Sequence, residues 1–254
     1  MTASPGYLKE IALRRDRVAD FHRYPFDLPA IQALGRVVFE RPVTFFVGEN
    51  GSGKSTLLEA IAVALGFNAE GGSRHFNFTT RASHSELHAA LRCVRGITRP
   101  RDGYFLRAES LFNVATEIER LDAVPAPAPP IADGYGARAL HEQSHGETFL
   151  ALIQNRFRGG GLYMLDEPEA ALSPMRQMTL LPIIHDLVVA KSQLIIATHS
   201  PILLSYPSAE ILQFGPAGIE RVEYEETEHF RVTRDFLNRH RAQLKTLLGA
   251  DGPV

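Results

Sequence analysis

The sequence predicts an α/β fold, a mostly parallel sheet flanked by helices. Three observations predict it. Short apolar, β-rich runs alternate with helical stretches along the chain. Two of those runs lead into polar clusters of the kind a sheet presents at the carboxyl ends of its strands. No internal repeat or sustained heptad pattern competes with this reading.

Tyr7 to Leu13 reads as an early strand, the start of an N-terminal antiparallel β part. Val43 to Val47 (Val-Thr-Phe-Phe-Val) reads as a buried strand. It runs into a glycine-rich loop, after which Leu57, Leu58, Ile61 and Leu65 fall on one face of a helix. Residues 67–158 are expected to form a small inserted helical subdomain. In it, Ser83 to Val94 reads as a helix with a Ser83/Glu86 capping box, Gly103 to Leu106 as a strand and Leu111 to Leu121 as a helix. Pro125 to Pro130 reads as a stiff connecting segment, and Phe149 to Phe157 as a helix. Leu162 to Leu165 is a second buried strand. Pro174 to Ala190 is a long helix with proline in its first turn, and Gln193 to Thr198 is a third strand. Residues 209–248 complete a single domain spanning 1–254. They are read as a hairpin (Ile211 to Phe214 with Ile219 to Tyr224), a solvated acidic loop around Glu225 to His229, and an amphipathic helix, Arg234 to Leu248. That helix is expected to lay Phe236, Leu237, Leu244 and Leu247 or Leu248 on the protein's own core.

The single cysteine, Cys93, rules out an internal disulfide and suits a reducing cytoplasm. A formal net charge of -2 without a basic run gives no general reason to expect nucleic acid. No apolar signal core opens the chain, and no stretch approaches the ~20 residues a membrane helix needs, so no membrane insertion is expected.

The loop Gly48-Glu49-Asn50-Gly51-Ser52-Gly53-Lys54-Ser55-Thr56 matches the phosphate-loop pattern G-x-x-x-x-G-K-[ST]. Its glycines let backbone N–H groups converge as an anion nest at a helix N-terminus. Lys54 adds a charge for the β- and γ-phosphates of ATP, and the Ser55 hydroxyl suits Mg²⁺. The run Leu162 to Leu165 ends in Asp166-Glu167-Pro168, which puts two carboxylates at the same sheet edge. Asp166 suits the metal, and Glu167 suits the task of orienting and deprotonating a water.

Taken together, these clusters resemble the ABC-type ATPases among the P-loop NTPases. Leu-Asp-Glu-Pro-Glu-Ala-Ala-Leu-Ser, ending at Ser173, resembles their Walker B and D-loop, with serine where an aspartate is usual. Ser144-His145-Gly146-Glu147 resembles a variant of their Leu-Ser-Gly-Gly-Gln signature. Ala197-Thr198-His199-Ser200 resembles their switch-histidine motif. The motifs stand in the family's order from Gly48 to Ser200. The resemblance implies an ATP-dependent head-to-tail homodimer. In it Ser144, Gly146 and Glu147 cap the nucleotide held by the other subunit, and His199 contacts the γ-phosphate or attacking water. For the Q-loop contact to the metal or water, Arg107 falls at the glutamine position by count, but Glu109 is the more apt ligand. Tyr24 and Phe26 are candidates for stacking on adenine, Tyr24 being equally suited to the core.

Thr198-His199-Ser200-Pro201 resembles the soluble branch with RecF-like, SMC-like and OLD-like ATPases, beside small stand-alone AAA-family proteins. The 55 residues after His199 are expected to be too few for a nuclease domain. The expected function is therefore an ATPase that switches a protein partner. A DNA-binding or repair accessory is the alternative, and the energising subunit of a transporter is a further one.

Overall fold

A computed structural model of the chain describes residues 6–73, 85–109 and 145–249. Seven strands form the main sheet: β3 (Val43–Gly48), β4 (Gly72–Ser73), β6 (Asp102–Arg107), β7 (Gly161–Asp166), β8 (Gln193–Ala197), β9 (Glu210–Gly215) and β10 (Gly218–Val222), in the order β10-β9-β3-β8-β7-β6-β4. The five central strands run parallel, and β10 and β4 are antiparallel edges. A second, antiparallel sheet joins β2 (Arg36–Val38), β1 (Leu8–Leu13) and β5 (Leu91–Arg95) in that order.

Strand periodicity divides the core. Phe46, Ile195 and Leu212 face α2 (Lys54–Ala64), packing with Leu57, Leu58 and Ile61 under the antiparallel sheet. Phe45, Val47, Leu165 and Ile196 point the other way. There they meet Phe149 and Ile153 of α4 (His145–Arg156) and Leu180 and Ile184 of α5 (Pro174–Val189). Successive side chains of a strand point to opposite faces, so a continuous apolar run is what a sheet covered on both sides requires. Each fully buried Phe or Leu contributes roughly 1.5–3 kcal/mol. The two sheets are tied by a buried Gln193. Its Nε2 donates to Leu8 O at 2.8 Å and its Oε1 accepts from Leu8 N–H at 2.9 Å. Glu10, also buried, accepts from Arg36 and Arg92 on the neighbouring strands.

Three expectations change. The helix read over Ser83 to Val94 is, among the described residues, only α3 (Leu87–Ala90). Leu91 begins β5, because pairing with β1 outweighs the local helical pattern. The last helix, α7 (Glu228–Leu248), begins before Arg234 and takes in His229. It buries none of its residues, and Leu237, Leu247 and Leu248 are exposed rather than laid on the core. Tyr24 is exposed, and its hydroxyl meets Thr56 Oγ1 at 3.1 Å. Phe26 is the core residue of the two. Half of the expected helical subdomain (residues 74–84 and 110–144), with the helix read over Leu111 to Leu121 and the segment Pro125 to Pro130, lies outside the described residues.

Candidate functional site

Parallel pairing brings the carboxyl ends of β3, β7 and β8 together. Asp166 is in register with Ala197 on one side and Arg107 on the other, and Phe46 is in register with Ala197. The chain turns out of β3 at Gly48, whose φ of 151° and position demand glycine: a Cβ there would stand 2.5 Å from Phe214 O. Gly53, left-handed at φ 99°, then caps α2. This turn exposes Glu49, Asn50 and Gly51 and buries Gly53 and Lys54. Lys54 Nζ donates to Gly48 O and Glu49 O, each at 2.8 Å. Burial lowers its pKa, opposed by Glu167, Asp166 and Glu169. Beside the loop lies a cleft of about 380 Å³, walled by Gly48 to Ser52, Gln213 to Pro216, and Glu228 and His229.

Asp166 is 5% exposed. It accepts a hydrogen bond from the Ser55 side chain and pairs with Arg107 Nε at 3.4 Å. Arg107 is held in turn by Glu59, 2.8 Å from its Nη1. Burial pushes the Asp166 carboxyl up to about 6 despite Arg107 and Ser55, with Glu167 and Glu109 adding to the rise. Its Oδ1 is buried without a hydrogen-bond partner. A carboxylate oxygen left unmatched beside a hydroxyl fits a hard cation. Among the described residues no three His, Cys, Asp or Glu side chains gather as a metal site of their own. Ser55 and Asp166 thus suit a Mg²⁺ that takes its other ligands from phosphate and water. Glu109, exposed two residues beyond β6, acts on Asp166 through charge.

Glu167 takes a left-handed conformation (φ 50°) and donates its N–H to Ala197 O at 2.9 Å. Its Oε1 lies 3.8 Å from His199 Nε2. The 3-10 turn Pro168–Ala171 then brings Glu169 inward. There Glu169 accepts from Thr198 Oγ1 at 2.7 Å and from His199 N–H. That bridge pins the turn carrying His199 to the turn carrying Glu167. Ser200, buried, caps the following helix α6 (Pro201–Leu204) and donates to Gln177 Oε1 at 2.7 Å. Burial, Lys54 and His229 lower His199 to about 4. Gly146 packs on the Walker B side, where a Cβ would meet Arg176 Nη1 at 2.5 Å and Ala171 O at 2.8 Å. Glu147, more exposed, pairs with Arg176 at 3.0 Å. Ser144 lies outside the described residues.

Two segments that carry most of these residues match known families. Residues 32–109 match the family described as "AAA domain". Residues 148–205 match "AAA domain, putative AbiEii toxin, Type IV TA system". Both matches are to AAA-type domains, and they support a P-loop NTPase. Two solved structures are similar to this chain at low identity. One is cbiO1 from Clostridium perfringens, part of the ABC transporter complex cbiONQ (17% identical, covering 82% of this chain and 89% of that one, TM-score 0.47). The other is the SMC head domain from Thermotoga maritima (15% identical, covering 85% and 98%, TM-score 0.44). A comparison with curated proteins gives no significant match.

Three more residues join the site in the fold. Arg107 falls at the Q-loop glutamine position by count, but its pairing with Asp166 depends on the β6–β7 register. Glu169 was readable only as part of Leu-Asp-Glu-Pro-Glu, because its spacing acquires meaning once the 3-10 turn folds it back. His229, read at the end of a solvated acidic loop, fits no ligand spacing: it stands 30 positions beyond His199, and folding of the C-terminal segment brings it there.

Proposed function

We propose that this protein binds and hydrolyses ATP, closing head to tail with a second copy on two nucleotides to switch a protein partner. One observation supports this above the rest. The unmatched Asp166 Oδ1 sits beside Ser55 at the foot of the phosphate loop, and Glu167 and His199 stand on the adjoining turns of the same sheet edge.

In this reading the loop from Gly48 to Thr56 holds the triphosphate, and Lys54 leaves its two carbonyl partners for the β- and γ-phosphates. Ser55 and Asp166 would hold Mg²⁺, whose charge would offset that building up on the phosphates. Glu109 would be a further contact to that ion or its water. Glu167 orients a water in line with the γ-phosphorus and takes its proton as the new P–O bond forms and the β–γ bridge breaks. His199, neutral, donates from Nε2 to the γ-phosphate or that water. Ser144, Gly146 and Glu147, at the start of α4, cap the partner copy's nucleotide, where the helix N-terminus favours an anion.

The test is mass in solution, by light scattering, of wild type and Glu167→Gln with and without Mg-ATP. Doubling only with ATP, more persistent in the variant, is expected. Hydrolysis should fall about 10²–10⁴-fold on loss of the general base. A Glu167→Gln protein that hydrolyses like wild type would sink the mechanism. A second reading, an ATP-dependent DNA-binding accessory, is favoured by α7. This exposed helix carries Arg231, Arg234, Arg239, Arg241 and Lys245 against Glu228 and Asp235. A mobility shift on duplex DNA with ATP, weakening steeply with salt, would support it, and no shift at low salt would remove it.

A further inference from the structure

His199 has a neighbour for which the proposed reaction gives no role. His229 lies in the first turn of α7, which is fixed at its start by Thr227. Thr227 is fully buried, donates to Tyr224 O at 2.7 Å and accepts from Phe230 N–H at 3.3 Å. The rest of the helix is largely exposed. So anchored, His229 reaches the nucleotide cleft and puts its Nε2 2.9 Å from His199 Nδ1, the two rings tilted by 49°.

Two neutral imidazoles that share one hydrogen bond need one donor and one acceptor. Glu167 decides which is which. His199 Nε2 is buried, makes no hydrogen bond, and faces Glu167 Oε1 at 3.8 Å. A lone pair there would oppose a carboxylate, whereas an N–H there is attracted to it. With the proton on Nε2, His199 Nδ1 is an acceptor, and the hydrogen bond must come from His229 Nε2–H. The surrounding charges agree with a neutral pair. Lys54 from α2 and burial lower both rings, outweighing Glu228 beside His229. Glu169 is engaged by the His199 backbone N–H and by Thr198.

We propose that His229 is a positioning residue: its Nε2–H, delivered by the anchored start of α7, holds His199 as the Nε2–H tautomer that donates into the phosphate site. What His199 then does rests on the proposed hydrolysis, but its tautomer does not.

The test compares two near-isosteric variants of the full chain. His229→Gln keeps an N–H donor and His229→Glu offers only acceptors. Nitrogen-15 spectra of the histidine rings near pH 8, without nucleotide, report the tautomer. Wild type and His229→Gln are expected to show His199 protonated at Nε2, with a hydrogen-bonded Nδ1. His229→Glu is expected to move the proton to Nδ1. In ATP turnover, His229→Gln should stay within about threefold of wild type. His229→Glu should lose about tenfold or more in kcat, with KM little changed, as expected for one misdirected hydrogen bond. The same His199 ring pattern in wild type and both variants would overturn the proposal. So would a wild-type His199 already protonated at Nδ1, a result that needs no variant to fold. If the wild type turns over no ATP, the proposed function fails, and the ring spectra still decide the role of His229.

Discussion

Replacing Asp166 with asparagine separates what the site costs the fold from what it does. The carboxyl ionises near 3.8 in the unfolded chain and only at about 6 in the folded one, because burial outweighs Arg107 and Ser55. Between those values the folded protein keeps a proton that the unfolded chain has released. Stability therefore falls as pH rises through the window, and the penalty stays in full above it. At ~1.4 kcal/mol per pH unit, that difference amounts to a penalty on the order of 3 kcal/mol at neutral pH. Asparagine removes the buried charge at nearly the same volume but leaves Arg107 with only Glu59, so the net gain should be about 1–3 kcal/mol. The assay is urea denaturation in chelator, without nucleotide, from pH 4 to 7.5. Asp166→Asn should match wild type near pH 4 and exceed it increasingly towards pH 7. In Mg-ATP at about a hundred times the dissociation constant, the variant's advantage should shrink or reverse: wild type gains ~2.7 kcal/mol from ligand linkage, and the variant gains little. A variant less stable than wild type at pH 7.5, or a difference that does not vary with pH, would refute the reasoning.

Two further perturbations read the supports of the site and of the fold. Glu169→Ala leaves the Thr198 hydroxyl and the His199 N–H without their acceptor. At roughly 1–3 kcal/mol for each buried group left unmatched, stability should fall by about 2–5 kcal/mol. Hydrolysis should fall as well at temperatures where the variant remains folded. Measuring both on one preparation separates a support from a bystander, and unchanged turnover would mark Glu169 as structural only. Gln193→Leu removes both hydrogen bonds to the Leu8 backbone, far from the nucleotide. It should cost a similar amount in denaturant, with ATP affinity per folded molecule unchanged. A loss below about 0.5 kcal/mol would mean that apolar contacts alone hold the two sheets together.

The nucleotide half of the site was legible because its chemistry is local. A glycine-rich turn between a buried strand and a helix, and carboxylates at a strand's end, are short-range patterns. Val43 to Val47 and Leu162 to Leu165 could be read as buried strands from their largely apolar runs, and Gln193 to Thr198 as a third strand. Leu91 to Arg95 could not, since only its pairing with β1 makes it a strand. The apolar positions after Arg234 indicated an amphipathic helix, but amphipathicity does not say what covers a face, and the structure leaves Leu237, Leu247 and Leu248 in the open.

By itself, then, the chain's order of residues determined the phosphate loop, the paired Asp166 and Glu167, and the parallel sheet that must align them. The loop and the carboxylate pair are dictated by backbone conformation within a few residues, and the sheet by strands that alternate with helices. Only the tertiary structure decided that Arg107 leans on Asp166, that Glu169 clasps the His199 turn, and that a histidine from the last helix completes the site. Those contacts join segments tens of residues apart. They are set by strand register and by where a helix is anchored, and neither leaves a period or a spacing in the sequence.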